Sequence, residues 1–273
     1  MTGISQEKKM YFNSIDGLRL VASVNIVLFH MINMGGLTQL KDYSWIYRIF
    51  KGPAFHATMF FILAGFLFTV KYSRYASNFS SITLIKGRLS DLYPLHAITT
   101  FLMVPFFVVP GLCHDIINVG KTLFSLVVHL ILGSSILPFD SYSLNTPSWA
   151  LSAFFFCYIL FGVALKLVCS IKKRSVVVLF MAIALIPSIL WGMVFFKIGN
   201  WDHYLFFHIF APVRFFELFF GMLLARLYQL NNEKKRSFVI SQFKGLNDFC
   251  ICLSLLLLYL NLWVGQEKGA VAF

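Results

Sequence analysis

The sequence predicts an all-α polytopic membrane protein with about seven transmembrane helices plus one re-entrant or interfacial helix. Two observations predict it. Hydrophobic residues make up 59% of the chain and charged residues only 12%, with a mean hydropathy of +0.78. A soluble domain carries roughly 25% charged side chains, so this chain has too little polar surface to cover a water-facing globule. Its apolar residues also fall in long stretches separated by basic clusters, the layout of repeated crossings. The same composition excludes a disordered chain, a disulfide-stapled secreted module and a nucleic-acid-binding domain. Five cysteines, Cys113, Cys157, Cys169, Cys250 and Cys252, show neither zinc spacing nor a disulfide framework.

The elements follow in order. The first apolar stretch, 18–34, comes after a polar head with Lys8 and Lys9 and lacks a small-residue cleavage site, so it reads as a retained helix. At ~1.5 Å per residue, about 20 apolar residues cross a hydrocarbon core of ~30 Å. By that ruler the other spans are 53–70, 92–109, 149–168, 176–196, 211–227 and 249–264. The segment 123–137, with His129 and a Gly-Ser-Ser tail inside it, is too short and reads as the re-entrant or interfacial helix. No repeat, low-complexity segment or linker divides the chain, so 1–273 reads as a single membrane domain.

Charge sets the expected orientation. If 123–137 does not cross and the N-terminus is cytoplasmic, three basic loops fall inside: 71–88, Lys172-Lys173-Arg174, and Lys234-Lys235-Arg236 with Lys244. Residues 111–148 then lie outside. The expectation is a multi-pass protein of the plasma (inner) membrane, whose formal charge of +12 reports orientation and contact with anionic membrane lipid, not nucleic acid.

When every face is apolar, the informative residues are ionisable ones at membrane depth, each costing at least ~2.5 kcal/mol at a helix centre. Arg19 and His30 are close to three helical turns apart, so one face carries a cation near the cytoplasmic surface and an imidazole deep in the membrane, ~16 Å away. Asn25 lies between them, off that face. Arg19 reads either as a lipid-phosphate anchor or as a functional cation, and His30 as an interhelical hydrogen bonder or as a general base suited to neutral pH. Arg88, in a basic loop before the third span, reads as a topology anchor or a phosphate clamp. Arg214 and Glu217, spaced i,i+3, read as a structural pair. His203 and His208 are five apart, which does not place a metal pair on one helical face. Trp45 and Tyr47 read as interfacial belt residues.

Five islands then form a pattern. Ile15-Asp16-Gly17-Leu18-Arg19 leading to Phe29-His30, and Phe60-Phe61-Ile62-Leu63-Ala64-Gly65-Phe66-Leu67, resemble the opening of the integral-membrane acyltransferase 3 family, whose members include O-acetylases of O-antigen, peptidoglycan and exopolysaccharides. Arg88 with Leu92-Tyr93-Pro94-Leu95 looks like its basic loop and "(I/L)xPL" segment. Pro147-Ser148-Trp149-Ala150-Leu151-Ser152 looks like "PSWSLS", and Arg214-Phe215-Phe216-Glu217 with Gly221-Met222-Leu223-Leu224 like "RxxE…GMLL".

The resemblance implies an O-acyltransferase that takes an acyl group, usually acetyl from cytoplasmic acetyl-CoA, to a hydroxyl of a cell-envelope glycan or lipid-linked acceptor, without a metal. It assigns His30 as the essential imidazole, Arg19 as its cationic partner in the donor pathway, and Arg88 as the donor-binding arginine. An acyl-histidine relay on His30 is open beside the general-base role. For the oxyanion the open candidates are Ser152, Trp149 and the Gly65 backbone. Three features depart from the pattern: Asp91 stands where the loop's second arginine is expected, Phe154 where many members carry a glutamate, and the chain is expected to lack the family's last helices. Those departures keep open a truncated or degenerate, non-catalytic membrane protein. A transporter is the remaining alternative, although no repeat of the two halves supports it.

Overall fold

The structure is a computed structural model that describes residues 13–34, 53–114, 116–137, 144–198 and 208–232. The chain divides into two compact units, residues 1–60 with 235–273 and residues 61–234. Among the described residues every regular element is helical: α1 (Asn13–Met34), α2 (Pro53–Tyr72), α3 (Ser81–His114), α4 (Ile116–Leu130), α5 (Trp149–Ser170), α6 (Arg174–Ile198) and α7 (Ala211–Asn232), with short 3-10 turns at Ser73–Asn78 and Thr146–Ser148. The all-α class is therefore as expected. Among the described residues one stretch, Thr146–Ser170, is by length and composition long and apolar enough to cross a membrane, and Gly17–Ile32, Val119–Leu130 and Arg174–Leu190 are shorter apolar helices. The expected span 249–264 lies outside the described residues, as do Trp45, Tyr47, His203 and the Lys234–Arg236 cluster.

In the smaller unit, α1 presents Leu20, Val21, Val24, Val27 and Met31 as an exposed apolar surface, while Ala22 and Ile32 are buried. Asn25 does not demand a partner from elsewhere: its Nδ2 donates to the Val21 carbonyl one turn back, 3.0 Å away.

The larger unit is organised along α3, which at 34 residues is ~51 Å long and outruns the expected span 92–109 at both ends. Arg88 consequently sits on a helix, not in a loop. The physical reason is local: 81–93 contains no proline, and its lone Gly87 stands in open space where no turn is required. Helix α4 runs back along the C-terminal part of α3, and its last turn is fixed there by Tyr93 Oη donating to the Leu130 carbonyl (3.0 Å) and His96 Nε2 to the His129 carbonyl (3.0 Å). Helix α5 then covers the N-terminal part, where the Gly162 amide donates to Ser81 Oγ at 3.0 Å. Helices α4 and α5 thus both return along α3.

Helices α2 and α7 run parallel and approach through small residues. A Cβ on Gly65 would lie 2.0 Å from the Leu218 carbonyl oxygen, and one on Gly221 would lie 2.0 Å from the Ile62 carbonyl oxygen. Two glycines facing the other helix's backbone are the device that lets apolar helices associate where lipid removes the hydrophobic drive between them. Further along the same seam Gln229 Nε2 donates to Ser73 Oγ at 2.9 Å. Against α2, helix α5 supplies a continuous aromatic column: Phe61 stacks on Phe154 at 4.1 Å, and Phe68 meets both Tyr158 (5.8 Å) and Phe161 (5.9 Å).

Candidate functional site

The sequence-predicted residues fall in three places. Arg19 and His30 are both on α1, as expected. Arg19 is exposed, whereas His30 is half-buried, with its ring edge-on to Phe29 at 5.3 Å. Its Nδ1 is buried and has no hydrogen-bond partner among the described residues. A buried imidazole nitrogen left without a partner costs about 1–3 kcal/mol, so such an atom marks a place where a substrate or water proton belongs.

Arg88 belongs to the larger unit. It is half-buried, and its guanidinium lies 5.0 Å over the Phe68 ring, which comes from the aromatic column near the end of α2. The same end carries other cations. Arg226 Nε donates to the Ile171 carbonyl (2.9 Å) and Arg174 Nη2 to the Leu230 carbonyl (3.3 Å), which ties the α5–α6 turn with Lys172 and Lys173 to the last turns of α7. Two of the three clusters expected inside, 71–88 and 172–174, therefore share one end of this unit. Asp91, one turn from Arg88, is exposed.

At the opposite end, where α5 and α7 begin and α4 stops, the structure gathers a buried polar cluster that the sequence reading did not assemble. The turn after α4 carries Leu132 at φ 57, a left-handed conformation that L side chains avoid. That strain is held by hydrogen bonds: Ser152 Oγ donates to the Leu132 carbonyl and accepts the Ser135 amide (3.0 Å), Ser135 Oγ donates to the Trp149 carbonyl, and the Ala211 amide donates to the Ser135 carbonyl (3.0 Å). Arg214 is buried with Glu217, donating from Nη1 to both carboxylate oxygens at 2.6 and 2.7 Å. It also donates from Nε to the His208 carbonyl and from Nη2 to His208 Nδ1 (3.0 Å). A guanidinium has only donors, so His208 Nδ1 accepts and the imidazole is neutral with its proton on Nε2. Burial, and secondarily the Arg214 charge, push His208 down to about 3. Trp149 meets the His208 ring at 5.0 Å.

This geometry sorts the oxyanion candidates. Ser152 is engaged on both sides by residues 132–135, Trp149 packs beneath Arg214, and Gly65 is jammed against α7. All three serve the fold. Arg214 and Glu217 pair, as their i,i+3 spacing predicts. The sequence does not single out His96, and it brings in His129 and Ser148 only within a segment and a motif, with no role for either. His129 is fully buried, and its Nδ1 lies 3.1 Å from Ser148 Oγ. A serine three residues upstream of Leu151 and a histidine in an apolar helix carry no joint signal until the fold joins them.

Residues 12–270 match the family described as an acyltransferase domain. The chain belongs to the acyltransferase 3 family. Two curated relatives of this acyltransferase 3 chain are distant. Acyltransferase MdmB of Streptomyces mycarofaciens is 27% identical over 164 residues, 59% of this chain and 41% of that protein. Protein 2 in the picA locus of Rhizobium radiobacter is 28% identical over 164 residues, 54% of this chain and 79% of that one. The match to MdmB thus spans less than half of MdmB's length. No solved structure matches.

Proposed function

We propose that this protein is a membrane-embedded O-acyltransferase that moves an acyl group, acetyl in the first instance, from cytoplasmic acyl-CoA to a hydroxyl of a cell-envelope glycan or lipid-linked acceptor. The family match over residues 12–270 supports the reaction class, and the buried, unpartnered Nδ1 of His30 is the observation that carries the mechanism. In its neutral form that nitrogen accepts a proton from the attacking hydroxyl, or itself attacks the thioester carbon. Arg19, on the same helix, supplies a cation to the donor pathway. Arg88 serves as the phosphate contact, since a guanidinium braced on an aromatic ring keeps its donor edges free for phosphate oxygens.

The orientation follows from charge: the end of the larger unit with Arg88, Lys172 and Lys173 faces the cytoplasm, and the N-terminus does too, in the inner membrane. Purified protein in liposomes with labelled acetyl-CoA tests the reading. Transfer or thioester hydrolysis that disappears in His30→Ala supports it. Wild-type protein that binds acetyl-CoA and turns nothing over would leave a non-catalytic membrane protein, and donor-independent solute flux that survives His30→Ala would make it a transporter.

A further inference from the structure

We propose that Ser148 and His129 form a second reactive pair, a serine nucleophile with an imidazole base, that carries the acyl group before the acceptor hydroxyl receives it. The inference rests on the acyl-transfer reading and adds a site to it.

Three observations point to the pair. Ser148 ends the 3-10 turn that runs directly into α5, and its side chain makes no capping hydrogen bond there. Its Oγ is instead 3.1 Å from His129 Nδ1, within the reach a base needs to take a hydroxyl proton. Both partners are held in place by α3. His96 Nε2 clamps the carbonyl of His129 (3.0 Å), and Asn145, three residues before Ser148, donates to Thr99 and Thr100 Oγ1 (3.2 Å each). The pair also stands at the positive end of the 22-residue helix α5, where an alkoxide and a developing oxyanion are favoured. Ser148, at 8% exposed, is buried with His129.

The step balances. Ser148 Oγ gives its proton to His129 Nδ1 and bonds to the acyl carbon as the carbon–sulfur bond of the thioester breaks; the proton then passes from His129 to the departing thiolate. The acceptor hydroxyl next attacks the serine ester and gives its proton to His129, in place of direct transfer with His30 as base; the Ser148 Oγ–acyl bond breaks, and the pair is regenerated when that proton passes from His129 to Ser148 Oγ. No oxidant or further reactant is needed. Along α3 the level of Thr100 is ~18 Å from Arg88, a separation that the extended pantetheine arm between the phosphates and the thioester of acyl-CoA bridges.

The experiment uses full-length protein in liposomes with labelled acetyl-CoA and no acceptor, quenched in acid and read by peptide mass spectrometry. The expected adduct is an acetyl ester on the peptide bearing Ser148, absent in Ser148→Ala and reduced roughly a hundredfold or more in His129→Gln. Ser148→Cys, which keeps a nucleophile, is expected to trap the acetyl group as a thioester cleaved by neutral hydroxylamine. That variant separates loss of chemistry from loss of folding. An adduct confined to His30, or turnover in Ser148→Ala equal to wild type, overturns the proposal and leaves the acyltransferase reading standing. No transfer by any form, with acetyl-CoA bound, overturns both.

Discussion

Gly65 of α2 lies so close to Leu218 of α7 that an added Cβ would sit 2.0 Å from the Leu218 carbonyl oxygen, and Gly221 repeats the relationship one turn away against Ile62. Backbone cannot give way as a flexible side chain does. Gly65→Ala and Gly221→Ala are therefore each expected to force the helices apart, at about 1–3 kcal/mol or more. Gly87→Ala, in open space on α3, is expected to stabilise slightly because it removes a helix-interior glycine. Thermal unfolding in detergent, compared across the three variants, checks the contrast; equal losses would mean that the contact between α2 and α7 is not what the glycines serve.

Arg88 and Asp91 set the second prediction. Asp91 is exposed one turn from the guanidinium, where a phosphate on Arg88 would feel its repulsion. Asp91→Arg is expected to tighten CoA binding, and Phe68→Leu, which removes the ring under Arg88, to weaken it about threefold to tenfold. Calorimetry on purified protein measures both. Unchanged affinity in both would reduce this segment to a topology anchor.

How much of this was legible in the sequence varies with the kind of interaction. The helices among the described residues were, because runs of about 20 apolar residues favour helix. Arg19 and His30 were, because both lie on one helix and a spacing of near three turns fixes their common face. Arg88 was found but assigned to a loop, since basic residues between spans resemble a connection even where helix propensity carries the backbone on from Ser81. The His129–Ser148 contact was not legible: the residues are 19 positions apart, on different elements, and only the left-handed turn at Leu132 and the return path along α3 bring them together. Phe154, which departs from the resemblance as a missing acid, has a positive role in the structure as the ring stacked on Phe61.

The buried pair at the start of α7 gives an asymmetric prediction. Glu217→Ala leaves the Arg214 guanidinium, only 4% exposed, without its carboxylate, and is expected to cost about 3–5 kcal/mol. Removing both charges together, Arg214→Met with Glu217→Leu, should cost less than Glu217→Ala alone, since no uncompensated charge stays behind. A double variant as damaged as the single one would show that Arg214 acts mainly through the His208 carbonyl and ring.

His208 makes stability depend on pH, with a definite sign. Its ordinary value is 6.5, and in the folded protein burial and Arg214 push it down to about 3. Above pH 6.5 neither state holds the extra proton, and the contribution is fully present. As pH falls below 6.5 the unfolded chain takes up a proton that the folded chain refuses, so stability declines, by up to about 1.4 kcal/mol per pH unit, until pH reaches about 3. Asparagine keeps an acceptor near Nδ1 but does not titrate. His208→Asn is thus expected to flatten the decline in melting temperature between pH 7 and pH 5, measured by intrinsic fluorescence in detergent. A wild-type slope unaltered in the variant would assign the acid sensitivity to other groups and contradict a neutral imidazole beneath Arg214.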